Sequence, residues 1–236
     1  MPKKQPLPLK TLPAEPYPIQ IALAQSALVI IDMQNDFCSE GGWAHLAGLD
    51  IGRTSNLIPR IKDVLEIARE IGMLIIHTRE GHLPDLSDCP ENKQRKMLHT
   101  GFEYGQEGPR GRFFIRGTWN NHIVDELKPL PGEVIIDKPG KGAFYATDLE
   151  AVLRVKNIRI LILCGVTTHV CVSSTLREAA DRGFDTVLLS DCCQSYEEEL
   201  HLGALKVLHM PAALFGWLAS SDDFIALLKE GGYPSL

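Results

Sequence analysis

A cysteine, an aspartate and a lysine stand out because each follows an apolar run that reads as a buried strand. The run Leu161-Ile162-Leu163-Cys164 ends at Gly165, and Val166-Thr167-Thr168-His169-Val170-Cys171 follows it. Either threonine is able to cap a helix, and Val172, Leu176 and Ala179-Ala180 continue at helical spacing up to Arg182. This predicts Cys171 in the first turn of a helix leaving the end of a strand. Unpaired N–H groups and the positive end of the helix dipole there favour a thiolate and can hold an oxyanion. Most free cysteines are buried and inert, so Cys171 alone does not define a site. The apolar run Ala27 to Ile31 ends in Asp32, and Glu133 to Asp137 leads into Lys138. Open parallel sheets bind ligands outside the carboxyl ends of their strands, which sends all three residues to one rim. There the carboxylate can take the thiol proton while the ammonium favours the resulting anion, the chemistry of a nucleophilic hydrolase. Taken singly, Asp32 reads equally as a turn cap and Lys138 as a solvated charge, although Asp36 suits the capping task better.

The elements that must position these groups follow from periodicity. A helix is predicted from Ser55 to Ile71, with Leu57, Ile58, Ile61, Val64, Leu65 and Ala68 on one face and Gly72 closing it. Met73 to Thr78 reads as a second strand, with Arg79-Glu80-Gly81-His82 at its end. Further elements are a helix from Asp148 to Lys156, a strand from Asp185 to Asp191, a helix from Glu197 to His209 and a short last strand from Ala212 to Phe215. Strands alternating with helices imply right-handed crossovers and a doubly wound, mostly parallel α/β sheet of six strands covered on both faces. Residues 83–131 are rich in Pro, Gly and charge, with a short helix near Asn121 to Leu127. An insertion of this length reads as a lid, a binding loop or a subunit interface.

Composition narrows the class. The 236 residues are 44% hydrophobic and 23% charged, enough for one large domain. Residues 1–18 carry six prolines and read as an extended arm over the domain or a neighbouring subunit; we divide the chain into an arm, 1–24, and one domain, 25–236. The net charge of −6 argues against nucleic-acid and anionic-membrane surfaces and leaves a small molecule as the expected partner. Six cysteines without CxxC spacing suit neither a disulfide framework nor zinc and point to a reducing, cytoplasmic compartment. No apolar stretch approaches a signal core or a membrane span. His77 and His82 lack ligand spacing and are expected to face solvent or substrate rather than a metal. Neither GxGxxG nor GxxxxGK[ST] occurs, so no nucleotide cofactor is expected.

The segments Ile30-Ile31-Asp32-Met33-Gln34-Asn35-Asp36-Phe37, Ile135-Ile136-Asp137-Lys138-Pro139 and Gly165-Val166-Thr167-Thr168-His169-Val170-Cys171-Val172, in that order, resemble the isochorismatase-like cysteine hydrolases over residues 25–228. Within that family, 77–82, 137–142, 146–150 and 191–193 are most similar to biuret hydrolases and their triuret-hydrolysing relatives; ureidoacrylate amidohydrolases are more distant. The resemblance implies Asp32 as general base, Lys138 as the cationic member and Cys171 as nucleophile. It also implies an oxyanion hole from the N–H groups of Thr167 and Cys171 beside a cis Val166–Thr167 peptide. No cofactor or metal is implied, and a homotetramer is. Phe37 and Lys141 match family positions that contact substrate; Arg79, Glu80 and Phe144 join them here from their places near strand ends. Where biuret hydrolases carry a substrate-binding glutamine this chain has Pro211, which leads us to expect triuret before biuret, with a ureidoacrylate-type or other N-carbamoyl substrate as the alternative. A vinyl-ether isochorismatase works without a cysteine nucleophile, and a non-catalytic scaffold on this fold has no use for the three residue types together.

Overall fold

The computed structural model describes residues 9–230. In chain order, β1 (Lys10–Leu12) and β2 (Ile19–Ile21) pair as an antiparallel ribbon, followed by the first long strand β3 (Ser26–Ile31). Three short helices, α1 (Asn35–Cys38), α2 (Trp43–Leu46) and α3 (Ile51–Ser55), lead to α4 (Ile58–Glu70) and β4 (Leu74–Glu80). The insertion holds α5 (Glu91–Leu98) and a small hairpin, β5 (Glu107–Gly108) with β6 (Gly111–Arg112). Then come β7 (Val134–Lys138), α6 (Leu149–Val155) and β8 (Ile160–Val166). A five-residue π-helical turn, Thr168–Val172, opens directly into α7 (Ser173–Asp181). The chain closes with β9 (Asp185–Gln194), α8 (Glu198–Leu208), β10 (Trp217–Ala219) and α9 (Ser221–Lys229).

Six of these strands form one sheet in the order β10-β9-β8-β3-β4-β7, and every pairing in it is parallel. The central strands β3 and β8 are buried along their whole length, as strands covered by helices on both faces must be. From β3 the chain builds outwards to β4 and β7, then returns to lay β8 on the other side of β3. The connections leaving β3 and β8 therefore diverge, which opens a crevice beyond their carboxyl ends. Gly165 makes that edge possible: its φ is +112°, and a Cβ there would lie 2.1 Å from the Ile31 oxygen of β3.

Three expectations need correction. Leu12 and Ile21 are fully buried, so the ribbon from residue 10 is part of the core and not an arm laid over it; residues 1–8 lie outside the described residues. The last strand is Trp217–Ala219, not 212–215: Leu214 is 62% exposed, and the short Ala-Ala-Leu-Phe run, which periodicity alone could not assign, is spent on a turn ending at Gly216 with φ +144°. The helix expected near Asn121 to Leu127 is only a 3-10 turn, Asp125–Leu127. Helix α9 had a readable signal, since the Ser220 side chain accepts from the Asp223 N–H as an N-cap. Among the described residues no helix is long and apolar enough to cross a membrane.

Candidate active site

Four adjacent strands of the sheet deliver the site. Asp32 follows β3, Glu80 ends β4, Lys138 ends β7 and stands opposite Glu80 in register, and Cys171 lies in the π-turn after β8. Asp32, Glu80 and Lys138 are wholly or almost wholly buried, and Cys171 is 5% exposed. Asp32 sits in the left-handed region, φ +51°, which is costly for a residue with a Cβ and is tolerated where a fixed side-chain direction is needed. Its N–H points at Thr78, whose hydroxyl donates back to Oδ1 at 2.7 Å. Oδ2 lies 2.8 Å from the Lys138 Nζ and has no other partner among the described residues.

One oxygen each of Asp32 and Glu80 and the Cys171 Sγ lie within 4.8 Å of one another. The thiol donates to Glu80 Oε2 at 3.5 Å. This trio has the elements of a metal site, but its carboxylates already face ammoniums: Lys138 on Asp32, and Lys93 (2.9 Å) and Lys141 (2.7 Å) on Glu80. A divalent ion would have to displace these ammoniums, so the donor set fits an ammonium-balanced nucleophile better than a metal.

Burial and the neighbouring charges act on the sulfur in different directions. Burial pushes the Cys171 thiol well above its ordinary range, Lys138 pulls it down, and Asp32 and Glu80 raise it further. Desolvation outweighs the helix end and the lysine, so the resting group is a neutral thiol and needs a base as it attacks. Burial also works against the charge on Glu80, but Lys141, Lys138 and Lys93 together overcome it and hold that carboxyl far below the usual range. Lys138 is likewise disfavoured as a cation by burial, yet the charges of Asp32 and Glu80 keep its proton firmly bound.

Above the sulfur lies a cavity of about 210 Å³ lined by Phe37, Trp43, Leu49, Glu80, Lys141, Val166, Thr167, His169, Val170, Cys171 and Tyr196. It is smaller than the roughly 300–1,000 Å³ of drug-sized sites and suits a small molecule. The Val166–Thr167 peptide is cis, as the resemblance implies, and Thr167 lines the cavity together with Cys171. Phe37, Glu80 and Lys141 also line it. Two expected contacts do not. Arg79 points to the opposite face of β4 from Glu80, by strand alternation, and forms a two-pronged ion pair with Asp137 at 2.8 Å. Phe144 packs against Phe184, with centroids 5.8 Å apart, beneath Arg182. Pro211 sits exposed in the turn between α8 and β10 and is not among the lining residues, so the argument from it to triuret loses its basis.

Both histidines are buried rather than solvated or substrate-facing: His77 Nε2 is 3.0 Å from Glu133, and His82 lies between Asp88 and Lys93 under the insertion. The insertion contributes no lining residue and backs the site instead. Asp36, from α1, accepts from the N–H groups of Trp43 and Phe114 and from Asn120 Nδ2, which ties that layer to the first strand. Trp43, Leu49, His169, Val170 and Tyr196 are wall residues that sequence reasoning missed; His169, two residues before the nucleophile, was the one with a visible signal.

The geometry and sequence define a family. The isochorismatase domain matches residues 26–223, and the chain belongs to the isochorismatase-like hydrolases. It is 34% identical over 229 residues to the ureidoacrylate amidohydrolase RutB of Rhizobium rhizogenes, covering 93% of this chain and 90% of that one. The RutB of Caulobacter segnis is 35% identical over 219 residues, with 90% of each chain covered. Among solved structures, a cysteine hydrolase from Pseudomonas syringae pv. phaseolicola superimposes with a TM-score of 0.75 at 22% identity, over 96% of this chain and 98% of that one. Both of these relatives are ureidoacrylate amidohydrolases, whereas the motifs at 77–82, 137–142, 146–150 and 191–193 resemble biuret and triuret hydrolases more.

Proposed function

We propose that this protein is a cysteine-dependent amidohydrolase that cleaves a small ureido carboxylic acid of the ureidoacrylate type with release of ammonia. The observation that carries this reading is Cys171 under a mainly apolar cavity in which Lys141, its side chain 47% exposed, is the one lysine or arginine among the lining residues. Lys141 suits a substrate carboxylate, and Phe37, Trp43, Leu49 and Val170 suit a short carbon skeleton. Triuret carries many amide groups, each costing about 1–3 kcal/mol when buried without a partner, and this wall offers few partners. The named relatives support the same choice.

In the reaction, Asp32 takes the Cys171 proton as sulfur bonds to the ureido carbonyl carbon. The oxyanion is held by the N–H groups of Thr167 and Cys171. Collapse breaks the terminal C–N bond, and Asp32 gives its proton to the departing ammonia. Water then attacks the thioester carbonyl and loses a proton to Asp32, which returns it to the sulfur as the C–S bond breaks. Lys138, 2.8 Å from Asp32 Oδ2, holds that side chain in place through these transfers. The reducing cytoplasm and a homo-oligomer remain part of the proposal; the free thiols of the described cysteines and the exposed Leu200, Leu202 and Val207 of α8 support them.

Ammonia release from a ureido acid, its neutral methyl ester, biuret and triuret tests the substrate class. The acid should exceed each of the others by at least about tenfold in kcat/KM, the size of about 1.4 kcal/mol of lost pairing. Equal turnover of triuret or of the ester would overturn the carboxylate reading and leave the hydrolase reading standing.

A further inference from the structure

Glu80 is a carboxylate in contact with the nucleophile that the proton transfers above do not use. Its Oε1 receives Lys141 at 2.7 Å and Lys93 at 2.9 Å, while Oε2 faces the Cys171 Sγ at 3.5 Å and the Lys138 Nζ at 3.7 Å. Its backbone is clamped as well. The Glu80 N–H donates to Gln34 Oε1 at 2.7 Å, and its carbonyl accepts from Gln34 Nε2 at 3.0 Å and Asn121 Nδ2 at 3.1 Å.

Lys93, from the insertion, is held as firmly. Its ammonium reaches Glu80 Oε1, His82 Nε2 (3.0 Å) and the Pro139 carbonyl (2.6 Å), and lies 4.9 Å from the centre of the Tyr104 ring. Because an ammonium can only donate, His82 Nε2 must accept, which puts the imidazole proton on Nδ1, 3.2 Å from Asp88 Oδ1. Asp88, His82, Lys93 and Glu80 thus form one connected line from the insertion to the sulfur.

Around the thiol three ammoniums, Lys93, Lys138 and Lys141, face two carboxylates, Asp32 and Glu80. The excess of one positive charge matches a single thiolate, oxyanion or substrate carboxylate. Three ammoniums on one carboxylate also leave Glu80 unsuited to accept a proton. We infer that Glu80, with Lys93 as its fixed counter-ion, is a positioning residue: it orients the Cys171 thiol and anchors Lys141 at the cavity wall, and takes no part in proton transfer. This rests on the cysteine-hydrolase reading above.

The test is the pH profile of Cys171 alkylation by iodoacetamide, followed on the Cys171 peptide by mass spectrometry, in wild type, Glu80→Gln and Lys93→Met. It needs no substrate, so it decides the role of Glu80 even if the substrate class proves wrong. Glu80→Gln removes a negative charge beside the sulfur, and its profile should move to lower pH by about one unit or more. Lys93→Met leaves Glu80 less neutralised, and its profile should move to higher pH. Loosening of the fold would expose the thiol and move both profiles downwards, so the opposite signs are the signature. With a substrate that wild type turns over, Glu80→Gln should raise KM at least about tenfold, the effect of losing one charge-assisted contact, and keep kcat within about tenfold. A Glu80→Gln profile that is unchanged or shifted upwards overturns the inference, as does a kcat loss as deep as that of Asp32→Asn. If Glu80→Gln does not fold, Lys93→Met decides alone: an upward shift supports the inference and no shift, or a downward one, overturns it.

Discussion

The Lys138 Nζ lies 2.8 Å from Asp32 Oδ2, and neither side chain has any exposure to solvent. Removing one member of such a pair strands the other charge in the interior at a cost of about 3–5 kcal/mol, whereas removing both is far milder. Lys138→Met and Asp32→Asn should each lower the urea unfolding free energy by that order, and the double variant should cost much less than their sum. Additive losses would mean that the two charges are not coupled.

Asp32 and Lys138 should also move the thiol in opposite directions. Asp32→Asn removes a negative neighbour, so alkylation of Cys171 should begin at lower pH even as kcat falls by roughly 10²–10⁴-fold, the loss typical of a missing general base. Lys138→Met should move alkylation to higher pH. An Asp32→Asn enzyme with near-normal kcat would remove Asp32 from the proton transfers.

At the far end of β4, Glu133 accepts from Arg69 Nε at 2.7 Å, from the Leu130 N–H and from His77. Burial raises its pKa, but these donors more than offset it and bring it from about 4.5 down to about 2. A carboxyl depressed on folding stabilises the protein above its unfolded pKa, and that stability is lost as the pH falls through the folded value. Glu133→Gln should therefore be less stable than wild type at pH 7, and the gap in urea midpoint should begin to close below about pH 4.5. A gap that widens on acidification would contradict this sign.

How much of this was legible in the chain depended on where each residue sits. Asp32, Lys138 and Cys171 could be read because each ends or follows an apolar strand, and a parallel sheet sends such ends to one rim. The alternation of β4 could have separated Arg79 from Glu80, since neighbours on a strand face opposite ways and only one can meet the sulfur. Trp43, Leu49 and Tyr196 come from connecting segments, where no periodicity records which way a side chain points. The role of Lys93 depends on how residues 83–131 fold back over β4, and composition cannot express that. A helix terminus beside Cys171 is visible in the sequence, whereas the desolvation that raises this particular thiol is not.

The central claim is that Cys171 attacks a ureido carbonyl, and trapping the intermediate tests it most directly. Wild type should be mixed with a slowly turned-over ureido acid, quenched in acid and digested. The account predicts a transient adduct on the Cys171 peptide with the mass of the substrate less ammonia, formed as ammonia is released, and neither adduct nor ammonia from Cys171→Ala. Ammonia release by Cys171→Ala at a substantial fraction of the wild-type rate, or an adduct carried by a different residue, would contradict it.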